Sequence, residues 1–208
     1  MTIESRLDQG LAAMDIDLPA PQRERLLDDL RLLEKWNRVH NLTAIREPEQ
    51  MVVLHLLDSL SLLPHVAQAR TLIDVGTGAG LPGIPLAIAR PQLAVTLLDA
   101  NHKKATFLRQ AKAELALANV EVVCERVEKY RPPAVFDIVV SRAFADLADF
   151  VAQSRHLAGP GGSLLAMKGV HPFEEIARLP ATHRVETVIA LRVPTLEAQR
   201  HLVLLKAA

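Results

Sequence analysis

One stretch of the chain combines an acid, a run of glycines and a proline-rich turn: Asp74-Val75-Gly76-Thr77-Gly78-Ala79-Gly80-Leu81-Pro82-Gly83. The apolar residues before it predict a buried strand, and the residues after it predict a helix. Glycines let a backbone turn tightly and approach a ligand closely. In an open α/β sheet such a turn is where nucleotides bind. The stretch therefore predicts a nucleotide site, with a simple tight turn as the alternative.

The position of the glycines discriminates between two nucleotides. Residues 78–83 formally match a dinucleotide fingerprint, but the first glycine after the strand is Gly76, and Asp74 lies just before it. A carboxylate there would repel a pyrophosphate, whereas it suits the amino cation and sulfonium of S-adenosylmethionine. Asp99 closes the next predicted strand, where a carboxylate accepts bonds from the ribose of either nucleotide. The pattern favours S-adenosylmethionine over NAD.

A further acid follows the third predicted strand. In this architecture the end of that strand borders the adenine, so the backbone N–H of Glu128 could meet the ring while Val127 packs on its face. Equally, Glu125 and Glu128 could be solvated side chains near a helix N-terminus. Spacing alone leaves both interpretations open.

Alternating strand and helix patterns predict the scaffold that positions these residues. An α/β fold follows, with a mostly parallel sheet, helices on both faces and an antiparallel final pair of strands. Residues 1–69 predict an N-terminal helical segment, including a helix over residues 48–63, and residues 70–208 form the second domain. The predicted strands are residues 71–75, 94–98, 120–123, 136–140, 163–167, 185–193 and 201–206, and the predicted helices of this domain are residues 84–89, 102–117 and 146–157.

Composition excludes several classes of protein. The 208 residues carry no net charge and one cysteine, which excludes an internal disulfide or a cysteine zinc cluster, and we assign no metal site. No apolar run is long enough for a membrane span, and the first residues lack the pattern of a signal peptide, so we expect a cytoplasmic protein. Residues 1–69 hold 7 basic and 11 acidic side chains and residues 70–208 hold 17 and 13. The second part is thus the expected face for a polyanion.

The chain resembles the bacterial small-subunit ribosomal RNA guanine-N7 methyltransferases, also called glucose-inhibited division protein B. The matching motifs run in order from about residue 35 to the end. Besides the glycine stretch with Ile84-Pro85, they are Asn41-Leu42-Thr43, His55-Leu56-Leu57-Asp58-Ser59, Leu97-Leu98-Asp99, Lys103, Phe107-Leu108, Arg126-Val127-Glu128, Ser141-Arg142-Ala143-Phe144, Met167-Lys168-Gly169 and Arg200-His201-Leu202.

The resemblance implies a Rossmann-like class I methyltransferase with a seven-stranded sheet behind the helical segment. It implies transfer of a methyl group from S-adenosylmethionine to N7 of one guanine in the decoding-region loop of 16S rRNA. We expect the RNA to be met within a small ribosomal subunit or an assembly intermediate, by a monomer that binds neither DNA nor a membrane. The family's cofactor contacts carry over to Gly76, Leu81, Val127, Glu128 and Arg142, and Asp74, Gly78, Gly80 and Asp99 complete the predicted cofactor set.

Guanine N7 carries no proton, so its methylation requires no general base. Catalysis would depend on positioning, which can be worth ~7–11 kcal/mol. Arg142 and Lys168 end the fourth and fifth predicted strands, at the edge where substrates bind. We predict that one or both orient the guanine or its phosphate, with a solvated pair of side chains as the alternative.

A second tier of candidates is assigned to the substrate. His55 and Asp58 share one helix face and could touch RNA, cap the cofactor pocket or form a structural pair. Asn41 and Thr43 could equally be turn and cap residues. Lys103 lies in a local basic cluster that could track phosphates or be a solvated face, and Arg200 completes the set.

Three rival functions remain at this point: a small-molecule methyltransferase, a nucleotide-binding regulatory module without catalysis and an NAD-dependent oxidoreductase. The first would usually cap its acceptor with aromatics, and the chain has only five Phe, one Trp and one Tyr. The same scarcity predicts no base-stacking platform.

Overall fold

The computed structural model describes residues 2–142, 144–179 and 183–207. Two helices open the chain and pack against each other: α1 (Ile3–Ala13) and α2 (Ala20–His40). A broken helical run follows, made of α3 (Pro48–Met51), a π-helix (Val52–Leu57), α4 (Asp58–Leu60) and a 3-10 helix (Leu63–Val66). The later helices are α5 (Gly83–Ala89), α6 (His102–Glu114), α7 (Leu147–Ser154), a 3-10 helix (Arg155–Leu157) and α8 (Phe173–Ala177).

A seven-stranded sheet forms the centre of the fold, in the order β3-β2-β1-β4-β5-β7-β6. All strands run parallel except β7, which is antiparallel to both of its neighbours. The fold class predicted from the sequence is thereby confirmed. The strands are β1 (Thr71–Val75), β2 (Ala94–Leu98), β3 (Val120–Val123), β4 (Phe136–Ser141), β5 (Ala158–Lys168), β6 (His183–Ala190) and β7 (His201–Ala207).

Successive strand residues are buried in two different cores. Leu72 and Val140 pack with the N-terminal helices, α5 and α6, whereas Ile73 and Val139 pack with α7. A parallel sheet covered on both faces reads as continuous apolar runs, which is why these strands were recognisable in the sequence. The helical segment of residues 1–69 shares one core with the sheet, and the division at residue 70 stays a prediction.

The predicted elements differ from the observed ones mainly at their ends. The helix predicted to residue 117 ends at Glu114, because Ala116 adopts a left-handed conformation with φ +51°. The helix predicted over residues 48–63 is wrong as a single helix: it changes to a π-helix at Val52 and ends at Leu60. Helix α8 had no predicted counterpart, since five residues without a buried side chain leave no periodic signal.

Candidate functional site

The glycine stretch forms a tight loop between β1 and α5. Gly76, Gly78 and Gly80 have φ values of +67°, +63° and +83°, in the region that favours glycine. At Gly80 a Cβ atom would also overlap the side chain of Ile84. The loop begins on the neighbouring strand, because the Gly76 N–H donates to the carbonyl oxygen of Leu98 at 2.8 Å. The loop thus brings backbone N–H groups, with no side chains at the glycine positions, to the carboxyl ends of the strands.

Asp74 braces this loop from inside. Its Oδ2 accepts from the Thr77 hydroxyl at 2.6 Å and from the Gly83 N–H at 2.8 Å. The side chain is completely buried, and Oδ1 has no hydrogen-bond partner within the described part of the chain. Burial raises the pKa of Asp74 to about 6. In this structure Asp74 fixes the loop by hydrogen bonds from inside, and its carboxylate is not exposed at the surface of the loop.

Asp99 lies at the end of β2 and faces the same loop. Its Oδ2 accepts from the Gly78 N–H and its Oδ1 from the Asn101 N–H, each at 2.9 Å. Lys104 Nζ lies 3.6 Å from Oδ2. Each carboxylate oxygen has two lone pairs, so both retain a site for a ligand hydroxyl. The geometry fits the ribose role predicted for this acid.

A first cleft of about 240 Å³ opens beside the loop. We call it the glycine-loop cleft. Four predicted cofactor residues, Gly76, Asp99, Val127 and Glu128, line it together although they come from three different strand ends. Two further lining side chains, Phe144 and Gln153, escaped the sequence analysis as site residues, because only the tertiary fold brings them there. The complete lining is Val75, Gly76, Leu98, Asp99, Ala100, Glu125, Arg126, Val127, Glu128, Phe144 and Gln153.

A second cleft of about 350 Å³ opens at the ends of β4 and β5. We call it the arginine cleft. Five residues that the sequence predicted for the substrate line it. His55 and Asp58 come from the helical run, and Arg142, Lys168 and Arg200 come from the strand ends and the loop before β7. Its lining is Ile45, Leu54, His55, Asp58, Arg142, Met167, Lys168, Gly169 and Arg200.

A buried carboxylate holds both arginines of this cleft. Asp58 Oδ2 accepts from Arg142 Nη1 at 3.3 Å, and Oδ1 accepts from Arg200 Nε at 3.1 Å. Arg142 Nη1 also donates to the carbonyl oxygen of Leu54 within the π-helix at 3.0 Å. Asp58 is 1% exposed, and burial raises its pKa even though both guanidinium groups oppose the shift. Asp58 therefore acts on the cleft through the arginines that it orients.

His55 lies in the same cleft as a neutral ring. Its Nε2 is hydrogen-bonded to the Thr43 hydroxyl at 3.1 Å, and its buried Nδ1 has no partner among the described residues. Burial and the nearby Arg142 lower the pKa of His55 to about 4. Thr43 is held in turn by Asn37, whose Oδ1 accepts from the Thr43 N–H at 2.9 Å. Asn37 was missed in the sequence; a polar residue at a buried position of a leucine-rich helix was the available signal.

Lys168 lines the arginine cleft, but its ammonium group is already hydrogen-bonded. It donates to the carbonyl oxygens of Phe144 and Ala145 at 3.0 and 2.9 Å and to Glu175 Oε2 at 2.7 Å. Three acceptors match the three donors of an ammonium group. In this structure Lys168 fixes the segment between β4 and α7.

The other second-tier residues lie apart from both clefts. Asn41 ends α2 in a left-handed conformation with φ +49°, and its Oδ1 accepts from Arg46 Nη2 at 3.0 Å. This is the turn role that was held open for it. Lys103 is exposed in the first turn of α6.

One short segment separates the two clefts. The Ser141 hydroxyl at the end of β4 donates to the carbonyl oxygen of Val75 at the end of β1, at 2.7 Å. Arg142 then lines the arginine cleft, and Phe144 lines the glycine-loop cleft. Ala143, between them, lies outside the described residues. A ligand in either cleft would thus contact a residue of the same strand end.

Among the described residues, no group of three or more His, Cys, Asp or Glu side chains is arranged to hold a metal ion. Within the same residues, no helix has the length and apolarity needed to cross a bilayer.

This fold and its loop-lined cleft define a class I S-adenosylmethionine-dependent methyltransferase. Over their full lengths the chain and a solved O-methyltransferase from Streptomyces achromogenes, determined in complex with SAM, superpose with a TM-score of 0.61 at 18% identity, a likeness of fold. The family model for rRNA small subunit methyltransferase G matches residues 22–203. The chain belongs to this family, as the resemblance in its sequence predicted.

Curated relatives agree with the family model. The chain is 53% identical to a ribosomal RNA small subunit methyltransferase G from Nitrosospira multiformis, over 100% of this chain and 99% of that protein. It is 55% identical to the protein of the same name from Laribacter hongkongensis, over 98% of each. The oxidoreductase and the non-catalytic module are thereby removed as rivals.

Proposed function

We propose that the protein transfers a methyl group from S-adenosylmethionine to N7 of one guanine in the decoding-region loop of 16S rRNA. The observation that carries the proposal is the arginine cleft beside the glycine-loop cleft. It offers guanidinium donors, and its two groups that could serve as a base are unsuited to that role. Asp58 is committed to two arginines, and His55 has a pKa of about 4.

The acceptor's chemistry matches this pattern. Guanine presents O6 and N7 as neighbouring acceptors in its major-groove edge, and N7 carries a lone pair and no proton. A donor at O6 leaves N7 free, and no proton has to be removed. We assign the O6 contact to Arg142, whose side chain is 29% exposed and is aimed by Asp58 and Leu54. Arg200 is held by the same carboxylate and supports the base or its phosphate.

We assign the cofactor to the glycine-loop cleft. The fit rests on the chemistry of the cleft lining: each oxygen of Asp99 accepts one backbone N–H, from Gly78 or Asn101, and keeps a second lone pair for a ribose hydroxyl. Asp99 would hold the ribose, and the Glu128 backbone would meet the adenine. The contacts expected at Gly78, Gly80, Leu81 and Arg142 stay predictions, because these residues are not part of the cleft lining, and Asp74 acts as the brace of the loop. Bound S-adenosylmethionine supplies the electrophilic methyl group, and the chain supplies orientation.

The remaining partner assignments are part of this proposal. The protein acts as a monomer in the cytoplasm, on a small ribosomal subunit or an assembly intermediate. Its two parts differ in charge, with net −4 for residues 1–69 and +4 for residues 70–208, so nonspecific affinity for RNA should be low. A structured particle that presents one folded site fits such a surface.

The test is methyl transfer from labelled S-adenosylmethionine to naked 16S rRNA, to small subunits and to their precursors. Digestion to nucleosides and mass spectrometry identify the product, and primer extension after chemical cleavage at 7-methylguanine maps it. We expect one 7-methylguanosine per RNA. Methylation at another atom, or of small molecules only, would refute the proposal. If Arg142→Ala and Lys168→Ala both retain near wild-type rates, the prediction from the sequence that one or both orient the guanine or its phosphate is refuted, and with it the O6 contact assigned to Arg142.

A further inference from the structure

An exposed stack of rings lies beside the arginine cleft. The rings of His171 and Phe173 have centroids 3.7 Å apart and an interplanar angle of 26°. His201 meets His171 edge-on, with centroids 5.4 Å apart. We call these three residues the ring stack. The low content of Phe, Trp and Tyr gave no sign of the ring stack, because two of its three members are histidines that lie 30 residues apart in the sequence.

Phe173 is 72% exposed. The chain's other four Phe residues are buried or partly buried: Phe107, Phe136, Phe144 and Phe150. Val170, at the same turn, is 73% exposed. Exposed apolar surface of this kind can mark an interaction site where it is contiguous with a binding cleft. The exposed ring is therefore available to a partner.

The ring stack is continuous with the arginine cleft. His201 pairs with Lys168 across β7 and β5, and its Nδ1 is hydrogen-bonded to the carbonyl oxygen of Gly169 at 3.2 Å. Lys168 and Gly169 both line the arginine cleft. A nucleotide next to a guanine held in that cleft would therefore have the ring stack within reach.

Local charges favour a base over a phosphate as the occupant. Lys168, whose backbone pairs with that of His201, is bonded to Glu175 at 2.7 Å. Glu174 follows Phe173 directly and is exposed. A phosphate placed on Phe173 would lie beside the exposed carboxylate of Glu174, whereas the face of a neutral base can stack on the aromatic ring.

We propose that the ring stack binds an unpaired RNA base that neighbours the target guanine, with Phe173 as the stacking platform. This inference rests on the proposed rRNA substrate and adds a specificity contact to it. Sequence-specific RNA recognition commonly targets unpaired bases splayed onto aromatic side chains. The contact would hold the RNA loop open while the guanine occupies the arginine cleft.

The test compares Phe173→Ala, Phe173→Leu and Phe173→Trp with wild type. Val135→Ala serves as the matched control. Val135 is an exposed apolar residue immediately before β4, at the amino ends of the parallel strands and therefore away from both clefts. Binding to a 16S rRNA fragment and to small subunits is measured at several salt concentrations. S-adenosylmethionine affinity and melting temperature are measured for every variant.

We expect Phe173→Ala and Phe173→Leu to weaken RNA binding about tenfold, within the range for loss of one stacked base. Phe173→Trp should retain RNA affinity. RNA should quench the fluorescence of this variant more than it quenches wild type, whose only tryptophan is Trp36. The slope of log affinity against log salt should stay at the wild-type value, because no phosphate contact is lost. Affinity for S-adenosylmethionine should not change.

Four results would overturn the inference. Phe173→Ala could bind RNA with wild-type affinity, Phe173→Leu could retain full RNA affinity, or Val135→Ala could lose as much RNA affinity as Phe173→Ala. The fourth is that Phe173→Ala weakens binding to small subunits and not to the RNA fragment. The last result would indicate a ribosomal protein as the occupant. Failure of the wild-type protein to methylate rRNA would instead refute the proposed function, so the two failures are distinguishable.

Discussion

Replacement of His55 by glutamine tests whether this enzyme needs a base. His55 is 4% exposed, and its pKa is about 4. At pH 7 only roughly one ring in a thousand would be protonated. If the ring only positions Thr43 and the neighbouring arginine, His55→Gln removes about one neutral hydrogen bond, worth ~1 kcal/mol. That corresponds to about a fivefold loss of kcat/KM.

A catalytic base would behave differently. Removing a general base costs about 10²–10⁴ in rate, well outside the fivefold loss expected of a positioning residue. Because the pKa of His55 is about 4, the ring is unprotonated throughout the range from about pH 6 to 9, so the size of the loss, and not the titration of His55, separates the two roles. Single-turnover methyl transfer to small subunits should be flat across that range for wild type and, at a lower level, for His55→Gln.

The lower end of that pH range has a structural reason. The folded-state pKa of His55 lies below the ordinary value of 6.5, so folding stability is lost as the pH falls from 6.5 through about 4. Thr43→Ser retains the hydroxyl that His55 contacts and should keep wild-type rates. A loss above 100-fold for His55→Gln at unchanged melting temperature, or a tenfold rise in wild-type rate per pH unit, would refute this reasoning.

Four other variants test the core, the glycine loop and the arginine cleft. Asp29 is 2% exposed and burial raises its pKa to about 7 from 3.8, so the wild-type protein loses stability as the pH rises from 4 to 7. Asp29→Asn should increase the free energy of unfolding by up to ~4 kcal/mol at pH 8, seen as a higher melting temperature, and should change it little at pH 4.5. An equal gain at both pH values would contradict this prediction. Gly80→Ala should destabilise by about 2–4 kcal/mol, through its φ of +83° and the overlap with Ile84. Gly78→Ala should cost only about 1–2 kcal/mol, because its nearest neighbours lie 3.9 Å away; thermal melts in the opposite order would show the loop geometry to be wrong. Lys168→Met should weaken S-adenosylmethionine binding about tenfold in calorimetry, because Lys168 bonds the segment that borders the glycine-loop cleft; unchanged cofactor affinity with lost RNA methylation would assign it to the substrate.

Local patterns in the sequence were sufficient for most of the sheet and for the glycine loop. The strands at Thr71–Val75, Ala94–Leu98 and Val120–Val123 have the predicted bounds. For the first two, which lie inside the sheet, the reason is that strands covered on both faces are largely apolar. The left-handed glycines could be predicted for a similar reason, since the requirement for positive φ is a property of single residues. What failed locally was the run after Pro48, where a π-helix interrupts the expected helix.

The fold class, the family and the edge of the sheet where the chemistry takes place could all be predicted from the residues and their order. The role of each polar side chain at that edge became clear only from its contacts in the folded chain. Asp58 meets Arg142 and Arg200 across 84 and 142 residues of chain, and Asp74 turns inward to brace its own loop. The physical reason is that backbone conformation follows from short-range sterics and burial patterns, whereas the partner of a buried charge depends on which strand ends and helices the whole fold brings together.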